Sequence, residues 1–317
     1  MKIVILDGYT LNPGDLSWEA FEALGEVVVY DRSTPEEVEE RAKGCDVLIP
    51  NKAIVSAATI RNSESLKYIG VTASGVNIVD VEAATERGIT VRNVSGYGPD
   101  SVAQMVFAHI LNFTNRIAEQ IDDVRDGGWT SSEDFCYWLN PLTEWRGWTI
   151  GIVGRGEIGG GVARIAQGFG MKVIAYTRDP NRESPDHVEW VGLDELFVGS
   201  DFVTLHCPLT SETEEIVDER RLRLMKSSAY ILNTGRGQLV DEQALSNALN
   251  DNEIAGAGLD VLSSEPPRRG NPLLRAKHWS IPPHIAWATM AARERLMKLS
   301  ADNLKAFVQG EAINRVN

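Results

Sequence analysis

Three charged residues stand out by type and position: Arg236, Glu265 and His284, each set just past an apolar run, in NTGRG, SSEPP and PPHIAW. An imidazole that titrates near neutral pH can give a proton to an oxygen gaining negative charge. A carboxylate beside it stabilises the imidazolium form. A guanidinium holds a carboxylate through two parallel hydrogen bonds and so fixes the face that a substrate presents. These are the groups needed to reduce a carbonyl next to a carboxylate, as in a 2-keto acid, once a hydride donor is at hand. Arg236 taken alone reads equally as half of a structural ion pair; the three together, at the ends of strand-like runs, point to a site.

A place for the hydride donor is also written in the chain. Gly154-Arg155-Gly156-Glu157-Ile158-Gly159 lies between the strand-like TIGIV and the helix-like GGVARIAQGFG. The first glycine permits a tight turn, the second lets a pyrophosphate approach the backbone, and the third allows close helix-strand packing, while the helix N-terminus supplies amide donors. This context predicts a dinucleotide site. About 20 residues further on, an acid should hold the adenosine ribose in an NAD enzyme. Here KVIAYTRDP puts Thr177 and Arg178 at that point, with Asp179 slightly later. Thr177 removes the repulsion a carboxylate would exert on a 2'-phosphate and Arg178 can pair with that phosphate, so NADP is as open as NAD. In the other reading Arg178 is a solvated surface charge and Asp179 reaches the ribose.

These groups need a scaffold, and the chain supplies one twice. The first hundred residues alternate apolar runs (IVIL, VVVY, DVLIP, LKYIGV) with amphipathic stretches, and a second series runs through TIGIVG, KVIAYT, DFVTLHCP, AYILNTG and IAGAGLDV. Runs apolar on both faces are those of parallel strands covered by helices, so two doubly wound α/β parallel-sheet domains are expected. At 317 residues the chain exceeds the usual size of a single core. The spacing predicts one long helix over 100–127 and a final helix over 291–309. The tryptophans between them (Trp129, Trp138, Trp145, Trp148) read as a packed connector.

Composition narrows the function classes. An apolar fraction of 43% and a charged fraction of 24% are ordinary globular values. The net charge of −14 repels phosphate backbones and anionic lipid, which argues against nucleic acid and membrane partners. No window is apolar enough to span a bilayer, and the N-terminal apolar run is too short for a signal peptide. Cys45, Cys136 and Cys207 form no Cys-x-x-Cys pair and read as buried thiols in a reducing, cytoplasmic setting. No metal is called for. His109, on the apolar face of the long helix, reads as a core histidine.

Taken together, GYGPDSVAQ, SSEDFCYW, GIVGRGEIG, LHCPLT, NTGRG, SSEPP and PPHIAWAT make the whole chain resemble the D-isomer-specific 2-hydroxyacid dehydrogenases, and within them the glycerate dehydrogenase or hydroxypyruvate reductase branch. The resemblance implies a Rossmann nucleotide-binding domain, residues 100–284, inserted into a flavodoxin-like substrate domain, residues 1–99 plus 285–317. It implies His284 as acid/base, Glu265 as its partner and Arg236 as substrate clamp. Asp260 would hold the nicotinamide carboxamide, Thr234 and Gly235 would lie near its ring, and His206, Cys207 and Pro208 along the cofactor. Lys52 and the backbone around Ser74 and Gly75 would meet the substrate. A homodimer through the nucleotide domains is also implied. Thr177, in place of the usual aspartate, and Val76, where this branch would have Tyr, depart from the pattern. Other D-2-hydroxy acids such as lactate, and a non-catalytic NAD(H)-sensing protein, are the competing readings. A formate-type dehydrogenase would carry Gln where Glu265 stands.

Overall fold

The computed structural model describes residues 1–179 and 187–317, which form two compact units, Met1–Gly98 with Trp287–Asn317, and Pro99–Ala286. In the first unit, strands β1 (Lys2–Ile5), β2 (Glu26–Val29), β3 (Val47–Ile49), β4 (Tyr68–Gly70) and β5 (Thr90–Arg92) make a parallel sheet in the order β2-β1-β3-β4-β5. This is the flavodoxin-like order. Ile3, Ile5, Val47 and Ile49 turn one face of the sheet toward Phe21, Ala301 and Leu304, and Val4, Leu6 and Leu48 turn the other toward Val38 and Ile60. Both faces are therefore dry, as a sheet of parallel strands requires. The helix Met290–Val308 belongs to this unit and opens on Thr289, whose side chain accepts from the Ala292 amide.

The second unit holds β6 (Thr149–Val153), β7 (Lys172–Tyr176), β8 (Val188–Trp190), β9 (Phe202–Leu205), β10 (Tyr230–Asn233), β11 (Gly256–Leu259) and β12 (Trp279–Ser280), all parallel, in the order β12-β11-β10-β9-β6-β7-β8. Counted from β6 as the first strand, the order reads 7-6-5-4-1-2-3, the doubly wound dinucleotide-binding pattern with one strand added at the edge. The chain reverses its winding between β6 and β9, and in such sheets the ligand crevice opens there, at the carboxyl ends of the strands.

The expected helix over 100–127 is two helices, Pro99–Thr114 and Ile117–Arg125. Arg116 breaks it at φ 46°, a left-handed conformation that an α-helix of L-residues does not carry through. Its guanidinium instead donates to Asn140 Oδ1 at 2.8 Å. The tryptophan segment is also divided. Trp145 packs on Phe107 and Phe169 and Trp148 on Phe202, but Trp129 and Trp138 are exposed. The reading of three buried thiols holds for Cys45, whereas Cys136 is exposed and Cys207 half-buried. Among the described residues no helix is long and apolar enough to cross a membrane.

Candidate active site

Every candidate of the second unit follows a strand at its carboxyl end. Gly154 comes after β6, Thr177 after β7, His206 after β9, Thr234 after β10 and Asp260 after β11. Loops at that end are bound to one another through backbone, and the glycines show how.

Gly154 takes φ 92°, and a Cβ there would lie 2.6 Å from the Cys207 amide nitrogen. The turn after β6 is thus pressed against the segment after β9. At Gly159 a Cβ would lie 2.4 Å from the Gly154 carbonyl oxygen, so only glycine lets the helix Glu157–Gly168 start so close to the strand. Gly156 differs: it is the N-cap, without a side-chain cap, and nothing lies within 4 Å of where its Cβ would be. That open cradle over uncapped amides fits a pyrophosphate. Arg155 and Ile158 are half-buried and Glu157 is exposed at the first turn. Thr234 is buried and its hydroxyl has no partner among the described residues, an orphan polar atom that fits a nicotinamide group beside it. The described residues therefore suit a dinucleotide cofactor.

At the end of β7, Thr177 Oγ1 accepts from the Asp179 amide at 3.4 Å, and Arg178 is exposed and paired with Glu212 at 3.4 Å. Cys207 is half-buried and Pro208 exposed. Burial holds the Cys207 thiol above its ordinary range. His206 has both ring nitrogens enclosed. Its Nε2 meets Thr204 Oγ1 within β9 at 2.9 Å, its Nδ1 is sealed from solvent, and burial lowers its pKa to about 3. The residue as a whole keeps some exposed surface, but both ring nitrogens are enclosed, so the ring stays neutral, and its backbone carbon lies 2.8 Å from where a Cβ at Gly154 would be.

The catalytic candidates sit on three further loops. Asn233, the last residue of β10, accepts from the Gly235 amide at 3.0 Å and donates to the Arg236 carbonyl at 2.7 Å, folding the loop tightly around itself. A Cβ at Gly237 would lie 1.9 Å from the Leu262 carbonyl carbon, which puts this loop directly on the one after β11. Arg236 is exposed, its guanidinium donating to the Gly235 carbonyl at 2.8 Å; among the described residues it enters no ion pair.

Glu265 accepts from the Leu262 amide at 3.0 Å and its other oxygen meets His284 Nδ1 at 2.6 Å. His284 itself is held at φ 53°, a conformation uncommon for a non-glycine residue, with its amide bonded to the Pro282 carbonyl at 3.0 Å. What keeps it there is Asp260. This aspartate is 2% exposed and accepts from the Ile285 amide at 2.8 Å and the Ala286 amide at 2.9 Å. Burial raises its pKa, an effect that the two amides and the nearby His284 oppose. Each Asp260 oxygen is thus already engaged by the segment that follows the histidine.

Lys52, Ser74 and Gly75 belong to the first unit. Lys52 is exposed on the loop after β3, and the Ser74 hydroxyl donates to the Val94 carbonyl at 3.0 Å. Sequence reasoning missed Asn233, Asp260 as an anchor of the His284 loop, and Glu242, which accepts from the Ser263 amide at 2.7 Å and from Asn271 at 2.8 Å. Polar residues at strand ends were the available signal for the first two. His109 is 3% exposed, with Nδ1 on Ser280 Oγ at 3.1 Å and its ring against Gly258, and burial lowers its pKa to about 4. It is a core residue, as read. A cavity of about 660 Å³ lined by Thr149, Met171, Lys172, His187 and Glu195 contains none of the candidate residues. Among the described residues no group of His, Cys, Asp and Glu is arranged to hold a metal.

Comparison with known proteins agrees with this geometry. Residues 107–286 match the model of the D-isomer specific 2-hydroxyacid dehydrogenase, NAD binding domain. A hydroxypyruvate reductase of Blautia hydrogenotrophica is 44% identical over 322 residues, covering 100% of each chain. A glycerate dehydrogenase of Methylorubrum extorquens is 38% identical, covering 99% of this chain and 98% of that one. The crystal structure of the TT0316 protein from Thermus thermophilus superposes with a TM-score of 0.86 at 35% identity, covering 100% of each chain. On fold and kinship alike, the chain belongs to the D-isomer specific 2-hydroxyacid dehydrogenases and is an oxidoreductase that works with a nicotinamide cofactor.

Proposed function

We propose that the protein reduces hydroxypyruvate to D-glycerate, and glyoxylate to glycolate, with His284, Glu265 and Arg236 as its working residues. The observation that carries this reading is the 2.6 Å contact between His284 Nδ1 and Glu265, whose loop is packed against the loop of Arg236. The nicotinamide, when bound, supplies or accepts the hydride. The remaining work falls to the chain. His284 donates its proton to the carbonyl oxygen as negative charge develops there, and takes it back in the reverse direction. Glu265, on the other ring nitrogen, fixes the tautomer and stabilises the imidazolium. Arg236 grips the substrate carboxylate with two parallel bonds, which selects one face of the carbonyl and hence the D-hydroxy acid. Lys52 and the backbone around Ser74 and Gly75, all in the first unit, are proposed to meet the substrate carboxylate. Gly154 to Gly159, Cys207, Pro208, Thr234 and Gly235 line the cofactor, and Asp260 both anchors the His284 loop and presents its remaining lone pairs to the carboxamide.

The names of the relatives at 44% and 38% identity support the choice of hydroxypyruvate and glycerate. Either NAD or NADP fits the Thr177-Arg178-Asp179 corner. A homodimer is proposed through the second unit, where the helix Ile117–Arg125 buries none of its residues and Ile117, Trp129, Phe135 and Trp138 stand exposed. A cytoplasmic location would keep the three free thiols reduced. The test is initial-rate measurement of NADH and NADPH oxidation with hydroxypyruvate, glyoxylate and pyruvate in parallel. Turnover led by hydroxypyruvate is expected. Turnover led by pyruvate would replace the proposal with a lactate-type activity, and cofactor binding without turnover of any keto acid would leave a sensing protein.

A further inference from the structure

In the first unit one carboxylate has more backbone donors than any strand end needs. Asp7, two residues past β1, accepts from three successive amides of the loop after β3: Asn51 to Oδ1 at 2.8 Å, and Lys52 and Ala53 to Oδ2 at 2.5 and 2.8 Å. Successive amides converging on one point form a concavity that binds anions. Here the anion is internal, so the loop is closed around its own chain, with the Lys52 side chain exposed beside it.

The same contact reaches a second loop. Asn51 is 4% exposed, and its side-chain amide donates to the Thr72 carbonyl at 2.8 Å and to Thr72 Oγ1 at 3.1 Å, while the Thr72 amide donates to the Pro50 carbonyl at 2.9 Å. Two residues beyond Thr72 lies Ser74, whose hydroxyl is committed to Val94 and whose carbonyl accepts from Asn93 at 2.6 Å. The Ser74 side chain and carbonyl are thereby both occupied in holding the loop.

We propose that Asp7 is a positioning residue for substrate binding: its carboxylate sets the loop of Lys52 directly and, through Asn51 and Thr72, the loop of Ser74 and Gly75. The proposal rests on the reading above that these two loops meet the substrate carboxylate. Asp7 touches no reacting atom. Its effect falls on the keto acid and not on the cofactor, whose turn is built in the other unit.

Three variants of the full chain, Asp7→Asn, Asp7→Ala and Lys52→Ala, are assayed with hydroxypyruvate and glyoxylate at saturating cofactor, alongside NADH affinity and urea stability. Asp7→Asn keeps an acceptor for Asn51 and turns a donor toward Lys52 and Ala53. It is expected to raise KM for both keto acids about tenfold with kcat within about threefold, NADH affinity unchanged, and a larger KM in Asp7→Ala. A stability loss with KM unmoved in Asp7→Asn would make Asp7 a structural cap and overturn the proposal, as would kcat and KM changing in proportion. The control separates the two ideas. A raised KM in Lys52→Ala with a normal KM in Asp7→Asn overturns the positioning role alone, and a normal KM in all three variants overturns it together with the reading of the loops. Should Asp7→Ala fail to fold, Asp7→Asn decides by itself.

Discussion

The two halves of the site in the second unit are made of different materials. The turn Gly154–Gly159 offers a ligand backbone amides and empty space, and its first and last glycines are demanded by approach distances of 2.6 and 2.4 Å to neighbouring backbone. The catalytic half offers side chains, Arg236, Glu265 and His284, and these depend on a second set, Asn233, Asp260 and Glu242, to hold their loops. A backbone site is fixed by the local fold of one segment. A side-chain site is fixed by contacts between segments up to 29 residues apart, as Glu242 and Asn271 are, and is correspondingly easier to disable without touching the fold.

The largest effect should come from the catalytic half. His284→Ala removes the proton donor, and general acid catalysis contributes about 10² to 10⁴ in rate, so kcat should fall by that factor while NADH affinity holds. An active variant would remove His284 from the chemistry, and a loss of cofactor affinity would show the two halves to be less separate than their contacts suggest.

Next comes the floor beneath that half, where His109 lies against β11 under Gly258. Its pKa is lowered by burial from 6.5 to about 4, so the unfolded chain binds a proton there that the folded chain refuses. Stability is then complete above about pH 6.5 and is lost as pH falls toward 4, by an amount on the order of 3 kcal/mol. Urea unfolding of wild type and His109→Gln across that range should show the wild type declining more steeply. Parallel declines would mean that the imidazole is protonated in the folded protein.

The same division explains what could be read from the chain. Parallel strands, two sheets and the dinucleotide turn were legible because each is local: apolar runs, and a glycine spacing between a strand and a helix. His284 and Glu265 were legible by residue type and by family resemblance. The anchoring of Ile285 and Ala286 by Asp260 was not, since nothing near Asp260 in sequence announces which amides it will accept 25 residues later. Arg116 shows the opposite failure. Helical spacing continued through it, and the break came from a left-handed residue whose guanidinium found Asn140. Trp129 and Trp138 were misread because aromatic content alone does not say which rings a core has room for.

A smaller effect is expected in the backbone half. Gly156→Ala meets nothing within 4 Å and should fold with unchanged stability, yet its methyl group fills the cradle. Affinity for NADH should drop about tenfold, close to 1.4 kcal/mol, with kcat at saturating cofactor preserved. Gly159→Ala, whose Cβ would press on the Gly154 carbonyl, should lose stability and affinity together. If Gly156→Ala binds NADH normally, the pyrophosphate does not lie over this turn.

The smallest effect concerns the one place where a side chain decides what the backbone half accepts. Arg178 is exposed and paired to Glu212 at 3.4 Å, an ion pair of a kind worth about 0.2–1 kcal/mol, so its guanidinium can leave that partner for a 2'-phosphate at little cost. A phosphate carries more charge and takes a bidentate grip, so it should win the exchange. Arg178→Ala should then weaken NADPH several-fold and NADH hardly at all, and Glu212→Gln, which frees the arginine, should favour NADPH slightly. Equal losses for both cofactors in Arg178→Ala would leave Asp179 as the residue that reads the ribose, and would return the corner to the side of NAD.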